Sequence, residues 1–400
     1  MQPTPTGFFG LMPNELILQL VAVLPITDVL SLKLATHNLF SVLGQRIEPS
    51  KYIQGTGPFT NSHQLLETMA IHGAVLSGSR ALEYFVPGST TDESDWDFYV
   101  PPVLSSVIAV KNALERSGVT FESSLSKAAR QLREKSCATL NRNQIISIAY
   151  EAFFNTRSWS REERIVIDAV QYTYPDMRDI IAHIRVDGSV RWMDSLVPIT
   201  IQCCGSVSFP DPQQTRNHSY PDGITAKVLN GTARKNNRTV SVQLVIGTID
   251  PRRISVADPL FQTVFRSVFS FYGSHVQCIL TKHAALHMYY RLALKKMAYR
   301  WHVPDAIQEK AEAAVQKYIS RGFEFKAAAE DDQWLLRSAQ DNDSCFIELE
   351  TDDCYSPSLS QIKGLRWRHT REIIRPSLQP TTVDARHELL YFGVISRGCI

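Results

Sequence analysis

The stretch GSRALEYFVPGSTTDESDWDF, Gly78 to Phe98, decides how this chain folds. The aliphatic run AVLS before it reads as a strand entering a Gly-Ser turn at Gly78 and Ser79. RALEYF then supplies the first turns of a helix, and SDWDFYVP a second strand closed by proline. Side chains alternate along a strand, so Asp95 and Asp97 share one side while Trp96 and Phe98 point to the opposite, buried one. A Gly-Ser turn at a helix N-terminus aims backbone N–H groups and a hydroxyl at one point, which suits a phosphate. Two carboxylates on one face beside it can hold Mg²⁺ bridging to a triphosphate. Gly78, Ser79 and Arg80 are therefore candidate nucleotide-binding residues, and Asp95 and Asp97 candidate metal ligands and catalytic carboxylates. The alternative for the aspartates is a strand-end pair solvated at a sheet edge.

Outward from this stretch, residues 8–47 form an apolar-periodic helical segment, and SKYIQGTGPFTNSH (50–63) reads as a linker. Residues 143–185 are mainly helical in pattern, and ITIQCC and VSVQLVIG read as strands. NGTARKNNRT carries an Asn-Gly hairpin signal at Asn230-Gly231. PLFQTVFRSVFSFY, AALHMYYRLALKKMAYRW and residues 304–319 read as helices, and AEDDQWLLRSAQDNDSCFIELETDDC as an acidic surface segment. The fold class is α+β: a helical module at 8–47, a mixed-sheet domain with flanking helices at 60–301, and a helical or irregular extension at 302–400.

At 400 residues the chain is long enough for two or three domains. Its 44% hydrophobic and 20% charged residues fit a folded protein, and a net charge of +2 gives no reason to invoke nucleic acid or a membrane. No run approaches the roughly 20 apolar residues a membrane span needs. MQPTPTGFFGLMPNE has no basic segment ahead of an apolar one, so no secretory signal is expected. The seven cysteines are scattered without a C-x-x-C pair, which argues against a zinc ribbon or a disulfide framework. A reducing compartment, cytoplasm or nucleus, is expected.

In LMPNELILQLVAVLPITDVLSLKLATHNLF (11–40), Pro13 suits the first turn of a helix, and Leu16, Leu20 and Val23 or Leu24 mark one face. Pro25 ends that helix and Thr27 can cap the next. Leu30, Leu32, Leu34 and Leu39 add more apolar surface than about 40 residues can bury internally, so the unit should dock on something. The segment resembles an F-box, whose pattern is matched in register by Met12, Pro13, Glu15, Leu16, Leu20, Leu24, Asp28, Val29, Leu32 and Ala35. His37-Asn38 and Leu39 depart from it, standing where the family has a basic pair and an aromatic. The resemblance implies docking to the Skp-type adaptor of a cullin ubiquitin ligase through Pro13, Leu16, Leu20 and Leu24.

The opening stretch resembles the nucleotidyltransferase superfamily, through Gly78, Ser79, Ala81, Leu82, Asp95, Asp97 and Phe98, and is most similar to a fungal group sharing the strings SGSRALEYF and SDWDFYV. The resemblance implies NTP binding and metal-dependent transfer to an acceptor hydroxyl, and also a third acidic residue on a later strand beside the Asp pair. The best later strand puts Gln243 there, and Gln carries no charge. Asp168 in RIVIDAVQY is a substitute, although its surroundings read equally well as a helix. His283 and His287, four apart, lack a third zinc ligand. RLALKKMAYRWH (291–302) fits a core face better than an RNA-binding helix, ARKNNR (233–238) a hairpin tip, and Cys203-Cys204 buried thiols. Two readings stand: an adaptor with a degenerate nucleotidyltransferase-like scaffold, or an active transferase with Mg²⁺ and an added docking module.

Overall fold

Pro13 opens the first helix in the computed structural model, which describes residues 12–36, 39–101, 103–121, 123–154, 158–175, 196–209, 225–247, 259–303, 305–327, 336–349, 357–368 and 373–374. Three helices follow in short succession: α1 (Asn14–Ala22), α2 (Ile26–Ala35) and α3 (Phe40–Ile47). Pro13 and Pro25 both precede a helix with φ near the value their rings impose, −58° and −54°. Pro25 therefore takes the capping position expected of Thr27. Thr27 instead lies inside α2, where its hydroxyl is 2.8 Å from the phenol oxygen of Tyr290.

Residues 50–63, expected as a linker, are largely helical: α4 (Pro49–Thr56) and the start of α5 (Ser62–Ile71). Burial of three scattered side chains overrides the Gly, Ser and Thr content. Tyr52, Ile53 and Phe59 are all buried, with the Tyr52 hydroxyl donating to the Arg80 carbonyl at 2.7 Å. Phe59 packs edge-on against Trp96 and Phe98, at ring separations of 5.0 and 5.5 Å.

The main sheet begins with β1 (Val75–Ser77), which runs into α6 (Gly78–Phe85) and then β2 (Trp96–Val100), α7 (Leu104–Arg116) and β3 (Thr120–Phe121). The chain then leaves the sheet for α8 (Ser124–Lys135), β4 (Cys137–Leu140), α9 (Arg142–Phe154), α10 (Arg161–Thr173), β5 (Ile199–Gln202) and β6 (Val207–Ser208). These elements share a core of their own, including Leu125, Leu132, Ile145, Val166 and Ile199. Asp168 belongs to α10 of this unit.

The long hairpin β7 (Thr225–Lys235) and β8 (Arg238–Gly247) returns to the sheet. Its turn is Asn236-Asn237, both left-handed at φ 49° and 63°, not Asn230-Gly231. Gly231 lies within β7, opposite Phe121 of β3, where a Cβ would come within 2.9 Å of the Phe121 ring. Close packing, not turning, is its role.

After α11 (Pro259–Phe269), residues 284–301, expected as one helix, split into β9 (Cys278–Leu280, just before them), β10 (Ala284–His287), the five-residue α12 (Tyr290–Leu294) and β11 (Met297–Arg300). Then come α13 (Asp305–Ile319), β12 (Glu324–Ala327), β13 (Leu336–Ser338), β14 (Cys345–Glu348), α14 (Pro357–Lys363), β15 (Arg366–Arg368) and β16 (Ile373–Ile374). The acidic segment expected at the surface contributes an edge strand, β14, to the main sheet.

Among the described residues the main sheet has eight strands, in the order β14-β10-β9-β1-β2-β8-β7-β3, and the fold class is α+β. Neighbours are antiparallel except β2 and β8, which are parallel. On one face Leu76, Trp96, Phe98, Val100, Leu244 and Leu280 join the core formed with α1 to α7. On the other, Val75, Tyr99, Val245, Ile279 and Leu286 pack with Val264, Phe265 and Val268 of α11. Trp96 and Phe98 are fully buried, as their alternation with the aspartates predicts. Since β2 is an interior strand, the Asp pair does not sit at a sheet edge. No described helix is long and apolar enough to cross a membrane.

Candidate functional site

At the end of β1 the backbone of Gly78 turns into the left-handed region, φ +72°. A Cβ there would lie 2.6 Å from Oδ2 of Asp97, so glycine is required both by the turn and by this approach. Ser77 pairs with Asp97 across the antiparallel β1–β2 ladder. Its hydroxyl donates to the Cys278 carbonyl at 2.6 Å and so does not cap α6.

The Ser79 hydroxyl donates weakly to the Asp95 carbonyl, at 3.5 Å, and lies near the buried phenol of Tyr318. Arg80 follows in the first turn of α6. It is buried, with Nε donating to the Ser94 carbonyl and Nη2 to the Asp92 carbonyl, both at 3.1 Å, and its guanidinium lies over the Trp96 ring at 5.2 Å. Arg80 thus shapes the loop that delivers the Asp pair.

Asp95 sits just before β2, and Asp97 within it. Burial pushes the Asp97 carboxyl up to about 7, with the Asp95 charge adding to the rise, while Lys317 and Arg80 oppose it. The two carboxylates are therefore close enough to repel, as their placement two apart requires. Opposite Asp97 on the parallel strand β8 stands Gln243, and opposite Gln243 on β7 stands Asn230. Ser77, Asp97, Gln243 and Asn230 form one register row across four strands, with a single acid in it.

Asp168 lies on α10, whose buried residues Val166, Ala169 and Val170 belong to a core separate from that of the main sheet. Among the described residues no group of three or more His, Cys, Asp or Glu side chains is arranged to hold a metal. Two carboxylates and an amide supply too little charge for the two-ion chemistry that the nucleotidyltransferase resemblance implies. Among the described residues, the donor set does not fit that centre.

Sequence reasoning missed Lys317, Tyr318 and Arg321. The helix α13 brings Tyr318 to Ser79, and Lys317 near enough to Asp97 to lower its proton affinity. More than 200 residues separate these groups from the Gly78 turn, and no local pattern announces their convergence. His283 and His287 are buried beside or within β10, and His287 Nδ1 accepts from the Tyr289 N–H at 3.1 Å. Cys203 and Cys204, expected to be buried, are exposed at the β5–β6 turn.

The N-terminal helices present a second candidate surface. In α1, which packs against α3, Ile17 and Val21 are buried, while Leu16 and Leu20, with Val23 just past the helix, are 47%, 39% and 69% exposed. Pro13 is exposed at the head of this apolar stripe, whereas Leu24 turns inward and packs on the core. The module is fixed to the body by the Arg46 guanidinium, which donates to the Tyr84 carbonyl at 2.7 Å, and by the Tyr84 hydroxyl, which donates to the Ile47 carbonyl at 2.6 Å.

No protein-family model, curated protein or solved structure matches the chain.

Proposed function

We propose that this chain is an F-box-type adaptor, working in the cytoplasm or nucleus, whose N-terminal helices dock on the Skp-type adaptor of a cullin ubiquitin ligase while the body recruits a target. The observation that carries the proposal is the exposed apolar stripe Pro13, Leu16, Leu20 and Val23 along a helix whose other face, Ile17 and Val21, is buried. An apolar helix face left open beside a fully anchored one is the form a helix-in-groove contact requires. Leu24, the fourth residue of the resemblance, is half-buried and packs on the core beside the stripe.

The body serves in this reading as a scaffold. Its Gly78 turn and its Asp95–Asp97 pair resemble a nucleotide site, but Gln243 stands opposite Asp97 where the resemblance calls for a third acid, and Arg80 is tied to backbone carbonyls. Co-purification of the chain with a Skp-type adaptor tests the docking; retention of the adaptor by a Leu16→Asp, Leu20→Asp variant would refute it.

A second reading, nucleotidyl transfer, is favoured by the contact of Gly78 with the Asp97 carboxylate, which sets the turn against the acid pair. Calorimetric titration with NTPs and Mg²⁺, then Mn²⁺, separates the two readings. Heat that is lost in Asp97→Asn would favour the enzyme.

A further inference from the structure

The loop between α6 and β2, PGSTTDESD, is gripped by three cationic side chains. Arg80 holds the Ser94 and Asp92 carbonyls. Lys296, from the turn after α12, donates to the Gly88 carbonyl at 3.3 Å and to the Ser89 hydroxyl at 3.0 Å. Arg321, just past α13, donates to the Ser89 carbonyl at 3.1 Å, to the Thr91 hydroxyl at 3.2 Å and to the Ser94 hydroxyl at 3.1 Å. Among the described residues, the guanidinium of Arg321 meets neutral oxygens and no carboxylate.

Four hydroxyls line the loop, and their surroundings differ. Ser89 and Ser94 are fully buried. Thr90 is half-buried and gives its hydroxyl to the Glu83 carboxylate, which also accepts the Gly88, Ser89 and Thr90 N–H groups. A phosphate on Thr90 would meet that carboxylate and be repelled. Thr91 alone is exposed, at the first position of a turn closed by the Ser94 N–H on the Thr91 carbonyl at 2.9 Å. Its hydroxyl oxygen already accepts from Arg321, leaving the hydroxyl hydrogen unclaimed by that contact. Asp92 and Glu93 follow it, the former ion-paired with Arg238.

We propose that Thr91 is a phosphorylation site whose phosphate is held by Arg321. The modifying enzyme is a protein kinase that selects acidic residues after its target hydroxyl. In the step, Thr91 Oγ1 bonds to the γ-phosphorus of a nucleoside triphosphate, and the bond from that phosphorus to the β-phosphate oxygen breaks. The nucleoside diphosphate leaves, and the hydroxyl proton passes to a base of the kinase. Guanidinium matches phosphate in a two-pronged geometry that a neutral hydroxyl cannot exploit, so the modification tightens the clasp between the loop and the residues after α13. The proposal stands apart from both readings of the protein's function.

The test is to treat the full chain with an acid-directed kinase and Mg-ATP, map the product by mass spectrometry and melt it. The expected product carries phosphate on Thr91 and none on Thr90, and Thr91→Ala abolishes it. The phosphorylated chain should melt about 2 °C or more above the unmodified one. Arg321→Gln should remove that gain, measured against its own unmodified baseline. Should that variant not fold, Arg321→Lys keeps the charge without the two-pronged contact and should retain about half of the gain. The proposal is overturned if Thr91 takes no phosphate in the folded chain, whether or not a free peptide of residues 86–97 does. A phosphorylated chain that melts at or below the unmodified one overturns it equally.

Discussion

Gln243 stands directly opposite Asp97 on the parallel neighbour of β2. An amide there offers hydrogen bonds but no charge, and divalent ions bind mainly where carboxylates accumulate. Gln243→Asp should therefore raise the affinity for Mn²⁺ about tenfold or more over the unsubstituted chain, measured by calorimetry. Equal affinities would mean that the row Ser77, Asp97, Gln243 and Asn230 is not the place where metal charge is decided.

Asp97 should make stability depend on pH. Its carboxyl is raised to about 7 by burial and by Asp95, against an ordinary value near 4 in the unfolded chain. Between these values the folded state binds the extra proton, so this contribution to stability is present below about pH 4 and is lost as pH rises through about 7. Asp97→Asn should have little effect at pH 3 and stabilise the protein at pH 8 by about 2–4 kcal/mol, in urea unfolding at the two pH values.

Gly78→Ala should destabilise by about 2–4 kcal/mol, since it forces a side chain into φ +72° and against the Asp97 carboxylate. Part of the cost is the clash itself, so the double variant Gly78→Ala, Asp97→Ala should lose less than the sum of the single losses. A double-mutant cycle with no coupling would contradict the contact.

The two faces of α1 should separate stability from docking. Leu16→Asp with Leu20→Asp alters exposed positions and should change unfolding free energy by no more than about 0.5 kcal/mol per site. Ile17→Asp buries a charge and should cost about 4 kcal/mol or more, unfolding the module. Thermal melts of the two variants distinguish these outcomes.

Much of the fold was legible where a local pattern dictates it. Alternation around Trp96 and Phe98 gives the burial and the side of the Asp pair, and the strand at Val240 places Gln243 beside Asp97. Proline at 13 and 25 marks the helix starts, although Pro25 itself displaces Thr27 from the cap. What failed depends on tertiary contact. Residues 50–63 look like a linker until Tyr52 and Phe59 find Arg80 and Trp96. The apolar run at 284–301 satisfies a helical period, yet pairing with β9 and β14 makes its first part a strand. The backbone carbonyls that Arg80 holds are revealed only by the folded loop. Lys317, Tyr318 and Arg321 reach the site from the far end of the chain, and no spacing within the sequence encodes that.

The central claim is that α1 docks on a Skp-type adaptor through Pro13, Leu16, Leu20 and Val23. A binding titration of the purified chain and its Leu16→Asp, Leu20→Asp variant against a purified Skp-type adaptor tests it most directly. The account predicts saturable binding by the chain, weakened at least about 100-fold in the variant while its melting curve is unchanged. No binding by the chain, or equal binding by both, would contradict it.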